Sequence, residues 1–288
     1  MNVLSEPPAA LASKDSEAAW IDACGLSLHY VLTAAAVESS AAGTVVLIHE
    51  LGGSIASWDA IVSTSNASRR VLRYDQRGHG ESEKVRAPFS LADHVDDLRT
   101  LLDALSLYEP CWLVAAAAGA AIAVDFAARY PARVAGIVMC APALDVDPSR
   151  RGYLRERAER ARVHGMRAIV DSTLDQSWPP VLRDDPRALD AYRAYRARLL
   201  ANDPVCYALA NDALSDVDLR AQLPALRCPC LLLAGEHDLQ RPPARVAAQA
   251  ALIAGSAFDT VPAGHLMAVQ KPAQVLDRIE AFIDGDNR

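Results

Sequence analysis

The chain has 288 residues, of which 51 % are apolar, and a formal net charge of −7. That length and apolar share suit one domain with a large buried core and exclude disorder for most of the chain. An acidic balance without any block of lysine or arginine excludes the electrostatic footprint of a nucleic-acid or anionic-membrane partner.

The opening stretch "MNVLSEPPAALASKDSEAA" has no basic start followed by an apolar run. It reads as an N-terminal extension over residues 1–17 without a signal peptide, so a cytoplasmic location is expected. Further along, "LSLHYVL" (26–32), "TVVLIHE" (44–50), "RRVLRYD" (69–75), "CWLVAAA" (111–117), "GIVMCAP" (136–142), "CLLLAGE" (230–236) and "AFDTVPA" (257–263) read as strands. Amphipathic stretches lie between most of them, such as "LADHVDDLRTLLDAL" from Leu91, and "AQVLDRIEAFI" from Ala273 closes the chain. Unbroken β-rich runs alternating with helices predict an α/β fold, a mostly parallel sheet covered on both faces. Such sheets bind ligands beyond the carboxyl ends of their strands. From about Asp145 to Leu226 no strand is evident, only helical pattern rich in arginine and alanine. This predicts a helical lid over 145–226, inserted into a core formed by 18–144 and 227–288.

The chemistry-bearing motifs fall at strand ends. "LIHELGGS" (47–54) is a tight, side-chain-poor loop whose backbone N–H groups can face a developing oxyanion. "YDQRGHGES" (74–82) reads as a structural loop in which Asp75 and Arg77 lock one another. "LVAAAAGAAIAVDFAARYP" (113–131) is a strand, a turn and a helix, with Ala115, Ala117 and Gly119 at the positions of a G-x-S-x-G elbow. Taken alone it reads as an alanine-rich buried strand and helix. "LLLAGEHDLQRPP" (231–243) puts Asp238 just past a strand, where an acid can orient an imidazole. "VPAGHLMAVQKP" (261–272) puts His265 between the last strand and the last helix. The chain order elbow, acid, histidine is the order of the α/β-hydrolases.

On these motifs the sequence resembles the α/β-hydrolase superfamily from about Ala18 to Phe282. "LIHELGGSIASWD", "RYDQRGHGES" and "NDPVCYALANDALSDVDL" look most like the 3-oxoadipate enol-lactonase branch, and N-formylmaleamate deformylase-type amide hydrolases share the pattern. The resemblance implies Asp238 as acid, His265 as base, and the backbone N–H groups of Leu51 and Ala118 as oxyanion donors. It places Ala117 where the family has serine, and Glu50 where it has glycine. A solvated, outward Glu50 is the first expectation; one reaching the pocket to position water or a substrate amine is the second. Asp145 competes with Asp238 for the role of acid and ranks below it.

Three readings of Ala117 stay open. The leading one is a serine hydrolase inactivated by a Ser-to-Ala replacement. The second is a serine-free enzyme using His265 and Asp238 for base-driven chemistry, as a cofactor-independent dioxygenase or a lyase. The third is a non-catalytic binding scaffold. If one arginine of the lid faces inward as a clamp for a small carboxylate substrate, Arg162 or Arg196 is the expected one, with Trp178, Tyr192 and Tyr207 able to line the pocket. The cysteines, at 24, 111, 140, 206, 228 and 230, lack zinc-ligand spacing and read as reduced thiols, mostly buried; no metal or cofactor is expected.

Overall fold

The β-rich runs pair into one eight-stranded sheet in the computed structural model. The structure describes residues 16–35, 43–65, 68–183 and 186–285, so residues 1–15 of the expected extension lie outside it. The strands are β1 (Ser16–Ala23), β2 (Leu26–Thr33), β3 (Thr44–Ile48), β4 (Arg70–Tyr74), β5 (Cys111–Ala116), β6 (Val134–Cys140), β7 (Cys230–Gly235) and β8 (Ala257–Val261), in the order β1-β2-β4-β3-β5-β6-β7-β8. β1 and β2 run antiparallel to their neighbours, and the ladder from β4 to β8 is parallel.

Side chains alternate across a pleated strand, so each central strand feeds two cores. Val46 and Ile48 of β3 and Leu113 and Ala115 of β5 enter one cluster; Val45, Leu47, Val114 and Ala116 enter the other. Around the sheet run α1 (Asp59–Thr64), α2 (Leu91–Ala104), α3 (Ala118–Arg129), α8 (Pro243–Ala250), α9 (Met267–Gln270) and α10 (Pro272–Asp284). Between β6 and β7 lie α4 (Pro148–His164), α5 (Val170–Ser177), α6 (Pro186–Ala201) and α7 (Pro204–Leu214), with an apolar cluster of their own around Trp178, Leu174, Tyr195 and Leu199. No helix among the described residues is long and apolar enough to cross a membrane.

β1 is a strand that the expected element list lacks, and it starts two residues before residue 18. Its sequence "SEAAWIDA" is weakly apolar, but Ala19 and Ile21 pack on the core while Trp20 is exposed. That period-two pattern is faint because an edge strand buries only one set of small side chains.

Candidate functional site

β5 ends at a turn on Ala117, whose backbone has φ 46° and ψ −109°. That is a costly conformation for a residue with a Cβ, about 1–3 kcal/mol, held only because its surroundings over-determine it. Ala117 N–H donates to the Cys140 carbonyl, and the Ala117 carbonyl accepts from Ala120 and Ala143 N–H at 3.1 and 3.0 Å. Gly119 permits the close approach of α3 to β3: a Cβ there would lie 2.6 Å from the Ile48 carbonyl oxygen. The carbonyl and N–H of one trans peptide point in opposite directions. Fixing the Ala117 carbonyl therefore turns the Ala118 N–H the other way. As the first residue of α3, Ala118 has no intrahelical acceptor for it.

The loop after β3 uses the same device. His49 Nε2 accepts the Gln76 N–H at 3.0 Å, which assigns the proton to Nδ1; that Nδ1–H donates to the Glu50 carbonyl at 2.7 Å. Gly53 N–H donates to the same carbonyl. The Glu50–Leu51 peptide is thereby clamped, with the Leu51 N–H directed away from the clamp. Behind it His79 Nε2 accepts the Gly52 N–H at 3.2 Å while its Nδ1 donates to the Arg77 carbonyl. From the helical insertion, the Asn202 side chain donates to the Gly52 carbonyl.

This loop requires neutral imidazole. Burial first, and His49 second, push His79 down to about 3. His94, packed edge-on to Phe89, is pushed well below the usual histidine range by burial and by the nearby His79 and Arg77. Both groups have a depressed folded pKa, so their contribution is complete above the unfolded value of about 6.5 and is lost as pH falls below it. By about pH 5 His79 is expected to cost roughly 2 kcal/mol of stability, with His94 acting in the same direction. Urea titrations at pH 7.5 and 5 check this; equal midpoints would contradict it.

After β7, Asp238 is sealed from solvent and joined to His265, whose Nδ1 lies 2.8 Å from Asp238 Oδ2. Asp238 Oδ1 accepts the Gln240 and Arg241 N–H groups at 2.7 and 2.9 Å. Burial pushes the carboxyl up, but His265 and these donors outweigh it and hold it below its ordinary value. His265 N–H donates to the Ser177 carbonyl at the end of α5, and Gln270 ties Gly264 to the same carbonyl. The histidine loop is thus anchored to the helical insertion as well as to the sheet.

Ala117, Ala118, Leu51 and His265 meet on a cavity of about 110 Å³ beneath the insertion. Glu50 also lines it and is only 5 % exposed, which overturns the outward, solvated expectation. The reason is local. Its carboxylate lies over Gly53, where a Cβ would come within 2.5 Å of Oε1, and Ser57 Oγ and Tyr195 OH both donate to Oε1 at 2.8 Å. Burial, with Glu50 beside it, raises Tyr195 well above the usual phenol range, so the hydroxyl stays a donor.

Of the expected pocket residues in the insertion, Tyr207 lines the cavity; Arg162, Arg196, Trp178 and Tyr192 do not. Arg162 pairs with Glu159 and Asp212, and Arg196 with Asp171. Trp178 fills the core of the insertion and meets Tyr192 edge-on at 5.5 Å. The inward arginine of α4 is Arg157, aligned with Leu154 and Ala161 at helical spacing; Arg162, five residues on, is rotated by about 140°. Arg241, just after Asp238, is the second arginine on the cavity. Arg157 donates to Asn211 Oδ1 at 2.6 Å, and Arg241 reaches only backbone carbonyls. Neither pairs with a carboxylate among the described residues, and the Nε of each is buried without a partner. Burial, then Arg245 and Arg150, lower Arg241 to about 10, against the pull of Asp145 and Asp238, so it remains a cation at neutral pH.

Asp145 is engaged elsewhere, with Arg245 at 2.7 Å and Gln249 at 2.7 Å. Asp75 and Arg77 do not lock one another. Asp75 takes His29 and the Ile55 and Glu81 N–H groups, while Arg77 forks onto Asp97. Among the described residues no group of three or more His, Cys, Asp or Glu could hold a metal ion.

A family model described as "Serine aminopeptidase, S33" matches residues 39–256. A putative carbamate hydrolase RutD of Pantoea ananatis is 30 % identical over 208 residues, covering 71 % of this chain and 74 % of that protein. The enol-lactonase of Burkholderia xenovorans superposes with a TM-score of 0.85 at 26 % identity, over 92 % of this chain and 100 % of that one. A malate-bound thermophilic esterase from Thermogutta terrifontis gives 0.84 at 27 % identity, over 93 % and 98 %. With its sheet order and the placing of its elbow, acid and histidine loops, the chain belongs to the α/β-hydrolase family described as serine aminopeptidase, S33, and to the hydrolases by class.

Proposed function

We propose that this protein hydrolyses an ester, lactone or amide bond of a small compound bearing a remote carboxylate, and that Ala117 stands in the position of its nucleophile. Residues 145–226 act as the lid, closing the site over the core of 18–144 and 227–288. With a hydroxyl at position 117, His265 takes its proton and Asp238 stabilises the resulting imidazolium. The Leu51 and Ala118 N–H groups receive the charge that develops on the carbonyl oxygen. Arg157 and Arg241 hold the remote carboxylate and so place the acyl carbon against residue 117.

The observation that carries this reading is a pair of half-buried arginines, each with a buried Nε and, among the described residues, no carboxylate partner, on the cavity shared by Ala117 and His265. A cation drawn partly out of water gains from an anion beside it, so an anionic group is the ligand that these two arginines favour. The esterase from Thermogutta terrifontis, which matches over most of its length, has a small carboxylate, malate, bound to it.

The test uses the Ala117→Ser protein with mono-4-nitrophenyl succinate and its methyl ester at the remote carboxyl. The free acid is expected to be preferred in kcat/KM by roughly ten- to a hundredfold, the worth of one desolvated charged hydrogen bond. Arg157→Met should abolish that preference. Equal or better turnover of the neutral ester, with long acyl chains also accepted, would identify a broad carboxylesterase instead. A second reading, base-driven chemistry without a nucleophile, rests on Ala117 itself: the methyl group leaves the Asp238–His265 pair free to act directly on a substrate proton.

A further inference from the structure

Glu50 presents a buried carboxylate with no counterion. Among the described residues no lysine, arginine or histidine forms an ion pair with it; its Oε1 is occupied by the Ser57 and Tyr195 hydroxyls. Oε2 accepts no hydrogen bond from a described residue, yet it is not one of the fully sealed polar atoms, and Glu50 lines the cavity. One carboxylate oxygen is therefore fixed by both the lid and the loop, and the other is left for whatever the cavity holds.

The position makes this informative. Glu50 directly precedes Leu51, whose N–H is the proposed oxyanion donor. A bare carboxylate beside a developing oxyanion opposes the reaction, since like charges in a desolvated site repel strongly. A bound group that brings an N–H to Oε2 offsets part of that opposition. A bound ester oxygen worsens it, because its lone pairs face those of the carboxylate. Two arginines without carboxylate partners, Arg157 and Arg241, line the same cavity. The cavity thus offers a molecule both an acceptor and cations, and asks for an N–H donor together with an anion.

We propose that Glu50 Oε2 accepts the N–H of an amide at the scissile end of the substrate, so that the site selects carboxylate-bearing amides over the matching esters and lactones. This rests on the proposed carboxylate clamp and narrows it to one bond type. The interaction is recognition alone, with Glu50 remaining the acceptor and the amide nitrogen the donor. A site built to hydrogen-bond a donor discriminates sharply against the analogue that lacks it, because its own polar group is then left unpaired.

Binding to the Ala117 protein tests the proposal directly, since no acyl transfer to residue 117 complicates it. Succinamate and monomethyl succinate carry the same single charge and nearly the same shape. Calorimetry at pH 7.5 is expected to show succinamate bound at least about tenfold more tightly. Glu50→Gln, nearly isosteric, keeps an oxygen for the Ser57 and Tyr195 hydroxyls and should bring the two ligands to within about twofold. Should that variant fold poorly, the two-ligand comparison on the parent protein decides alone. Equal affinity for both ligands, each lost in Arg157→Met, would overturn the amide assignment and leave the carboxylate clamp standing. Binding of neither ligand would overturn both.

Discussion

Ala117→Ser is expected to raise hydrolysis of a small carboxylate-bearing ester or amide by about a thousandfold or more over the Ala117 protein. The reason is the arrangement already in place around position 117. The elbow keeps its strained φ of 46°, which projects the residue from the junction of β5 and α3 into the cavity. His265 is held by Asp238 on one side and by the Ser177 carbonyl through its own N–H, so it needs no rearrangement to accept a proton. Clamped peptides at Glu50–Leu51 and Ala117–Ala118 preset the two proposed oxyanion donors. A methyl group forms no acyl-enzyme, so the present protein keeps only what binding and the oxyanion donors provide. Steady-state rates of both proteins on the same substrates check this. If the serine adds nothing while the Ala117 protein consumes oxygen with an aromatic enol, the base-driven reading is correct; if both only bind ligand, the chain is a scaffold.

In that serine-bearing background, Asp238→Asn should cost about a thousandfold or more in kcat with the fold intact. Asp238 does two things at once. Its Oδ2 fixes Nδ1 of His265 at 2.8 Å, and in the proposed reaction this leaves Nε2 to take the proton and lets the carboxylate charge stabilise the imidazolium. Asparagine retains the Gln240 and Arg241 N–H bonds through its carbonyl but presents an amide to the ring, which favours the wrong tautomer. Asp145→Asn is the control. It weakens the contacts with Arg245 and Gln249 and so touches stability, while kcat should stay within a few-fold of the parent. The reverse ranking of the two variants would mean that the acid is Asp145.

The parts of this site that were legible in the sequence are those fixed by local pattern. β5, the alanine turn and α3 follow from an apolar run, one glycine and a small-residue helix start. Asp238 and His265 follow from their places after strands. What stayed hidden depends on distant partners or on helical phase. Glu50 is buried because Tyr195, 145 residues away, donates to it, and no local rule joins a loop after β3 to the middle of α6. Arg157 and Arg162 lie on the same helix in similar sequence, and only the phase set by Leu154, Ala158 and Ala161 tells them apart. That stripe was readable but short, and the arginines around it dominate the composition. Arg241 is masked in the sequence by the more conspicuous Asp238 in the same turn. His49 and His79 act through hydrogen bonds to the Glu50 carbonyl and the Gly52 N–H, roles visible only once the loops after β3 and β4 are in contact.

Position 117 is proposed as a nucleophile site whose activating partners are all in place. The most direct measurement is the intact mass of Ala117→Ser after treatment with a fluorophosphonate, followed by mapping of the modified peptide. One phosphonyl adduct per chain is expected, on residue 117, absent from the Ala117 protein and formed far more slowly when Asp238→Asn is added. A folded Ala117→Ser protein that takes up no label at 117, or one labelled equally fast with and without Asp238, would contradict it.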